Sequence, residues 1–242
     1  EIHDADIIFV THSHYDHYSE EDITKIKLGS ALTVSGTLIK SPKEGQEFEL
    51  TLEDFVLEGE RVLLVPTGMR FFEVRARIAG DVENTRFMMF LPNSAEETRV
   101  YLENCEVQWE SDGQELFDFE ILLKDGDAGI EDLKSVGGIS FELLDSRPEI
   151  VKLYGKNVAD MGWILDKNYW NKGLATEAAK LVVNYVRSLG VRMIFAQCDA
   201  ENIGSWHVME KIGMKRICDN GKRFNKSEPK VEKVEFTYAI YF

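Results

Sequence analysis

The chain has 242 residues, 44% of them apolar, enough to bury a substantial core in one generous domain or two small ones. Lys and Arg number 28 against 43 Asp and Glu, and the formal net charge of −15 argues against nucleic acid and anionic membranes as partners while favouring a cationic amine. Cys105, Cys198 and Cys218 form no CxxC pair, no apolar run approaches the roughly 18 to 20 residues that span a bilayer, and the start lacks the regions of a signal peptide. A cytoplasmic protein is expected, and a start at Glu1 rather than Met suggests a processed or partial sequence.

In chain order, Asp6 to Val10 reads as a strand, followed by a His-rich turn and a short helix whose Ser19 and Asp22 suit its first turn. Thr11-His12-Ser13-His14-Tyr15-Asp16-His17 brings three imidazoles and a carboxylate together, donors suited to Zn²⁺. The segment resembles the HxHxDH signature of metallo-β-lactamase-fold hydrolases. That resemblance implies that His12 and His14 ligate one metal and that Asp16 and His17 ligate a second. Outside the cluster only His3 and His207 remain, so the later ligands of that fold are missing and a working dinuclear site is not expected.

Short strand pieces broken by Gly36 and by Ser41 to Gly45 carry the chain to an expected domain boundary near Leu50 to Asp54, which divides a 1–52 fragment from a 53–242 domain. Arg61 to Pro66 then forms a strand. Ser94 and Glu97 have capping-box spacing, and Val100, Tyr101 and Val107 are expected to supply the apolar face of the helix they open. Strands follow at Leu116 to Leu123, Val136 to Leu144 and Val158 to Leu165, then a helix from Ala175 to Leu189 ended by Gly190. A strand at Met193 to Cys198, a helix at Ser205 to Ile212 and strand material from Val234 to Phe242 complete the chain. Alternating strands and helices of mixed spacing predict an α/β layered domain.

The most informative stretch runs from Gly162 to Ala178, where a strand, a small-residue turn and a helix start follow one another directly. Such a turn, here Asn171 to Thr176, directs unpaired backbone N–H groups at one point, and the helix dipole makes that point attractive to a phosphate. Gly173 and Ala175 leave room for close approach, and Gly173 can adopt positive φ. Ala178, Leu181, Val182, Tyr185, Val186 and Leu189 give the helix a face that packs on the sheet.

With Tyr169-Trp170-Asn171-Lys172-Gly173-Leu174-Ala175-Thr176-Glu177-Ala178, and Asn202-Ile203-Gly204-Ser205-Trp206 preceding Glu210-Lys211-Ile212-Gly213-Met214, the chain resembles the GNAT superfamily of N-acetyltransferases from about Phe55 to Phe242. The ribosomal-protein N-terminal acetyltransferase branch is the most similar. The resemblance implies the GNAT fold, a mixed central sheet flanked by helices, here preceded by a short N-terminal α/β fragment. It also implies acetyl-CoA as cofactor. The pyrophosphate would lie on Asn171, Lys172, Gly173, Leu174, Ala175 and Thr176, the pantetheine arm along Trp163, Ile164 and Leu165, and Asn202 and Ser205 beside the cofactor.

An amine must be neutral to attack a thioester, and the developing oxyanion needs donors. Asp160, where the family commonly has Glu, is the candidate base; backbone N–H groups near Ile164 are candidate donors; Ser205 is a candidate acid for the leaving thiolate and equally a candidate helix cap. The acceptor is expected to be a protein N-terminus or a small-molecule amine, and the groove formed by Thr67 to Gln114 carries no signature of which. The oligomeric state, monomer or homodimer, is not legible. Two alternatives remain at this point: a metal-dependent hydrolase and an acetyl-CoA-binding module without turnover.

Overall fold

A computed structural model describes residues 32–40, 48–90, 92–111, 113–126 and 128–242, with side chains from Val56 onward. Strands β1 (Leu32–Lys40), β2 (Phe48–Glu58), β3 (Val62–Pro66), β4 (Leu116–Leu123), β5 (Lys134–Leu143), β6 (Val158–Leu165), β7 (Met193–Asp199), β8 (Lys215–Phe224) and β9 (Glu232–Tyr241) form one nine-stranded sheet. Their order is β1-β2-β3-β4-β5-β6-β7-β9-β8, and every neighbouring pair is antiparallel except β6 and β7. Helices are α1 (Phe72–Gly80), α2 (Val82–Thr85), α3 (Ala95–Trp109), α4 (Pro148–Tyr154), α5 (Leu174–Ser188) and α6 (Ile203–Lys211). The α/β fold with a mixed sheet expected from the sequence is the fold observed.

Helix α5 forms where expected because its apolar residues recur at spacings of three and four. Leu174, Ala178, Ala179, Val182, Val183 and Val186 are buried against the sheet, and Gly190, at φ 77°, lets the chain turn away. Opposite it lie Leu64 of β3, Phe117, Phe119 and Ile121 of β4, and Phe141 of β5, with Phe117 and Phe141 stacked at 4.5 Å between ring centroids. Met209 and Ile212 bring α6 to the same core. The other sheet face is covered at one end by α4, through Ile150 and Tyr154 on Val158, Met193 and Phe195. Arg75 of α1 and Tyr101 of α3 reach the β4 portion of that face.

Several expectations need correction. Ser94 and Glu97 do cap α3 reciprocally, yet Val100 and Val107 are 57% and 62% exposed, and the buried positions are Thr98, Leu102 and Cys105. The apolar β-branched residues were assigned to the core by type, whereas the buried stripe follows the three- and four-residue spacing through Thr98. Helices α1 and α4 and strand β8 carry no apolar periodicity strong enough to find: β8 is an edge strand, largely exposed, and α1 buries Arg75 together with Ile78. The boundary expected near Leu50 to Asp54 falls within β2, whose Leu57 and Glu58 pair with Leu64 and Leu63 of β3.

Candidate functional site

Strands β6 and β7 pair at only three positions, Val158 with Met193, Ala159 with Ile194 and Asp160 with Phe195, and then part. Beyond Asp160, β6 keeps its pairing to β5 as far as Leu165 opposite Gly137. A notch therefore opens between β6 and β7, with Asp160 at its apex and about 17 Å of strand leading from there to the end of β6.

The parity of β6 identifies which groups line the notch. Asp166 N–H donates to the Val136 carbonyl and the Val158 carbonyl accepts from Leu144, so even-numbered positions bond toward β5. Met161, Trp163 and Leu165 consequently direct their backbone groups toward the notch. The Leu165 carbonyl is already taken by the Trp170 indole N–H at 3.0 Å. Of the backbone N–H groups near Ile164, its own turns toward β5 and those of its neighbours Trp163 and Leu165 face the notch. The side chains of Ala159, Met161, Trp163 and Leu165 pack into the α5 core, while Gly162 is exposed and a Cβ on it would meet nothing within 4 Å.

At the far end of the notch lies the turn into α5. Asn171 and Gly173 both have left-handed backbones, φ 59° and 80°, on either side of Lys172. Among the described residues, no backbone N–H from Asn171 to Thr176 donates to a backbone carbonyl outside the helix, and the first turn of a helix offers none within it. Asn171, Lys172 and Gly173 are exposed, Leu174 is buried and Ala175 and Thr176 are half-buried. Consecutive N–H groups in such a turn form an anion-binding concavity. The short helical turn that precedes it, Lys167–Tyr169, is capped by Asp166, which accepts from Asn168 N–H at 2.9 Å and pairs with Arg77 of α1 at 2.6 Å.

Across the notch, Asn202 caps α6, its side chain accepting from Ser205 N–H at 3.2 Å. The helix thus begins two residues earlier than expected and Ser205 is not its cap. The Ser205 hydroxyl makes no hydrogen bond among the described residues and is half-buried. His207 is exposed, its ring against Trp206 at 4.1 Å.

Asp160 points from the sheet face opposite α5, in one cross-strand row with Glu142 of β5 and Phe195 of β7. Burial pushes its carboxyl up to about 7, and the neighbouring acids Glu142 and Glu235 push the same way, against a backbone hydrogen bond at Met161 and the charge of Arg147. Arg147 is tied to Glu142 at 2.5 Å, and Glu235 accepts from Gln197 at 2.7 Å. Glu235 also pairs with Arg223 at 3.4 Å, so each of the two glutamates around Asp160 has an arginine partner. Burial also raises the thiols of Cys105 and Cys198 to about 12, which leaves them protonated and poor nucleophiles.

Farther along this face, Arg223 donates to the Phe87 carbonyl at 2.8 Å, Lys226 N–H to the Met88 carbonyl at 2.9 Å and Ser227 to the Arg86 carbonyl at 3.1 Å. The segment after α2 is thus clasped to the β8–β9 connection. A cavity of about 280 Å³ lies at this clasp, lined by Arg86, Phe87, Glu201, Asn225, Glu228 and Lys233.

Sequence reasoning missed a buried ionic cluster. Arg75 of α1 bonds Asp118 and, at 2.7 Å, Glu120, both on β4; Ser135 and Thr67 also donate to Glu120, and Tyr101 donates to Asp118 at 2.5 Å. The alternation of acid and aromatic in Phe117-Asp118-Phe119-Glu120 was the available signal, since a two-residue period puts both acids on one face. The histidine cluster His12, His14, Asp16 and His17 lies outside the described residues. Among those described, no group of His, Cys, Asp or Glu could hold a metal, and no helix is long and apolar enough to cross a membrane.

An acetyl-CoA site fits this geometry: unpaired donors at the turn for phosphates, a free strand edge for an amide-bearing arm, and open space at Gly162. Residues 61–215 match the acetyltransferase (GNAT) domain family. Over 66 residues the chain is 42% identical to the uncharacterized N-acetyltransferase YnaD of Bacillus subtilis, covering 27% of this chain and 39% of that protein. The crystal structure of a GNAT-family acetyltransferase from Bacillus anthracis superposes with a TM-score of 0.59 at 26% identity, covering 77% of this chain and 98% of that one. RimL, a ribosomal L7/L12 alpha-N-protein acetyltransferase in complex with coenzyme A, has the same fold at a TM-score of 0.60 and 12% identity, covering 77% and 98% of the two chains. A match over more than half of its length, on the fold and site just described, makes the chain a member of the GNAT acetyltransferase family.

Proposed function

We propose that the domain transfers an acetyl group from acetyl-CoA to a primary amine by direct attack. The observation that carries this reading is the conjunction of the β6–β7 notch with the unpaired N–H groups of Asn171 to Thr176 at its open end and Asp160 at its apex. When bound, acetyl-CoA supplies an activated acyl group as a thioester. The turn from Asn171 to Thr176 holds its phosphates, and the Trp163 and Leu165 edge of β6 aligns its arm.

Asp160 removes a proton from the acceptor ammonium, directly or through water, because a carboxyl near 7 can exchange protons at neutral pH. The notch-facing N–H groups of β6 donate to the acyl oxygen as its charge develops. Ser205, whose hydroxyl is free while Asn202 caps α6, protonates the departing thiolate. The acceptor approaches Asp160 along the face that carries Glu142 and Glu235, each already paired with an arginine, Arg147 and Arg223. RimL acts on a protein α-amino group, so an N-terminal peptide belongs beside small amines among the candidates.

The test is thiol release from acetyl-CoA in the presence of N-terminal peptides, aminoglycosides and polyamines. Turnover with at least one amine supports the reading. Tight acetyl-CoA binding with no turnover over the whole panel would leave a binding module instead, and no binding at all would sink the assignment of the turn.

A further inference from the structure

The turn expected to hold phosphate is braced by a residue far away in sequence. Arg61 immediately precedes β3, and its Nη1 donates to the Lys172 carbonyl at 2.9 Å. Its Nε donates to Glu177 Oε2 at 2.8 Å, and its backbone N–H to Glu177 Oε1 at 2.7 Å. One guanidinium thus joins the middle residue of the turn to the acid in the first turn of α5. The β2–β3 connection lies close against this contact: a Cβ on Gly59 would lie 2.7 Å from Glu177 Oε1, so a side chain there would displace the carboxylate that Arg61 holds.

Two physical consequences follow. Tying the Lys172 carbonyl inward, between the left-handed residues Asn171 and Gly173, leaves the adjoining N–H groups directed away from it. Glu177 would otherwise present a negative charge one helical turn from the anion, and Arg61 offsets it. The remaining guanidinium nitrogen, Nη2, lies 3.4 Å from where a Cβ of Gly173 would be. Nearby, the ammonium groups of Lys172 and Lys134 stand 4.8 and 5.3 Å from the Tyr169 ring centroid. Three cations therefore gather at one turn of a chain whose net charge is −15.

We propose that Arg61 is the positioning residue of the phosphate turn, presetting its N–H groups and offsetting Glu177 for the phosphates of a coenzyme A thioester. The proposal rests on the acetyl-CoA reading of the same turn. It is tested by calorimetric binding of coenzyme A, and of pantetheine, which lacks every phosphate, to wild type, Arg61→Met and Arg61→Lys. In Arg61→Met, coenzyme A is expected to bind about tenfold or more weakly while pantetheine changes less than threefold, and Arg61→Lys recovers part of the loss.

Should Arg61→Met not fold by circular dichroism, the double variant Arg61→Met with Glu177→Gln removes the stranded charge together with its partner, and the same selective loss is expected. Coenzyme A affinity within twofold of wild type in the folded variant overturns the proposal, as does an equal loss for both ligands. Failure of the wild-type protein to bind coenzyme A is a different result, since it overturns the acetyl-CoA reading and this proposal with it.

Discussion

Asp160 stands directly opposite Glu142 across β5 and β6, at the last position where β6 still pairs with β7. Two acids face each other where the sheet opens, and burial together with Glu142 holds the Asp160 carboxyl near 7. A base is useful only when unprotonated, so the turnover rate is expected to rise with pH and level off above about 7. Asp160→Asn should lose that limb and slow turnover by about a hundredfold. A pH–rate profile of kcat/KM for acetyl-CoA in both proteins checks this, and an unchanged acidic limb in the variant would remove Asp160 as the base.

The same group has a signature in stability. Its folded pKa lies above the ordinary carboxylate value, so the native state binds the proton more tightly than the unfolded state does. That contribution is fully present below about pH 4 and is lost as the pH rises through about 7. Asp160→Asn is therefore expected to melt within a degree or so of wild type at pH 4, yet about 2–8 °C higher at pH 8, as removal of a partly buried charge worth roughly 1–2 kcal/mol implies. Melting curves at the two pH values decide it.

The two halves of this site differed in how far the sequence revealed them. The turn into α5 was legible because its signal is local: small residues between a strand and an amphipathic helix within seventeen positions, Gly162 to Ala178. Strands β4 and β6 were read to the residue for a related reason, their apolar runs ending at polar turns. The Arg75 cluster and the Arg61 brace were not legible, because each joins residues dozens to more than a hundred positions apart and an isolated Arg in a short helix reads as solvated. The cap reading of Ser205, one of its two candidate roles, falls to Asn202 because both are good capping residues three apart and only the helix start distinguishes them.

The Arg75 cluster makes its own prediction. Arg75 is 7% exposed and serves two carboxylates, of which Glu120 is fully buried. Burial pushes both Asp118 and Glu120 up, and the Arg75 charge is what opposes that rise. Arg75→Met strands two buried acids and is expected to cost about 3–5 kcal/mol by urea denaturation. Asp118→Asn, which leaves Glu120 to pair with Arg75, should cost clearly less. A Cβ on Gly138 would overlap the Arg75 guanidinium, so Gly138→Ala should resemble Arg75→Met rather than an ordinary strand substitution, and equal, small losses in all three would contradict this account of the cluster.

Gly173 isolates the turn from the rest of the fold. Its φ of 80° is strained for any residue with a side chain, and a β-branched one most of all. Gly173→Val is expected to weaken acetyl-CoA by about tenfold or more, measured by calorimetry, with a stability loss of about 1–2 kcal/mol. Unchanged affinity in a folded variant would move the phosphate site elsewhere.

Asn202 and Ser205 are separable because the structure gives the cap to one and leaves the hydroxyl of the other free. Asn202→Ala removes the side-chain acceptor for Ser205 N–H and should cost about 1 kcal/mol of stability. Ser205→Ala removes no capping bond, since the backbone N–H remains, and is expected to leave the melting temperature nearly unchanged. Its effect belongs on the chemical step: kcat should fall by about tenfold or more, with little change in KM for acetyl-CoA, if Ser205 protonates the thiolate. The loss should shrink when the leaving thiol is made more acidic, because a better leaving group needs less help from a proton donor. Equal losses with acetyl-CoA and with an activated acetyl thioester would assign Ser205 to positioning instead of proton transfer.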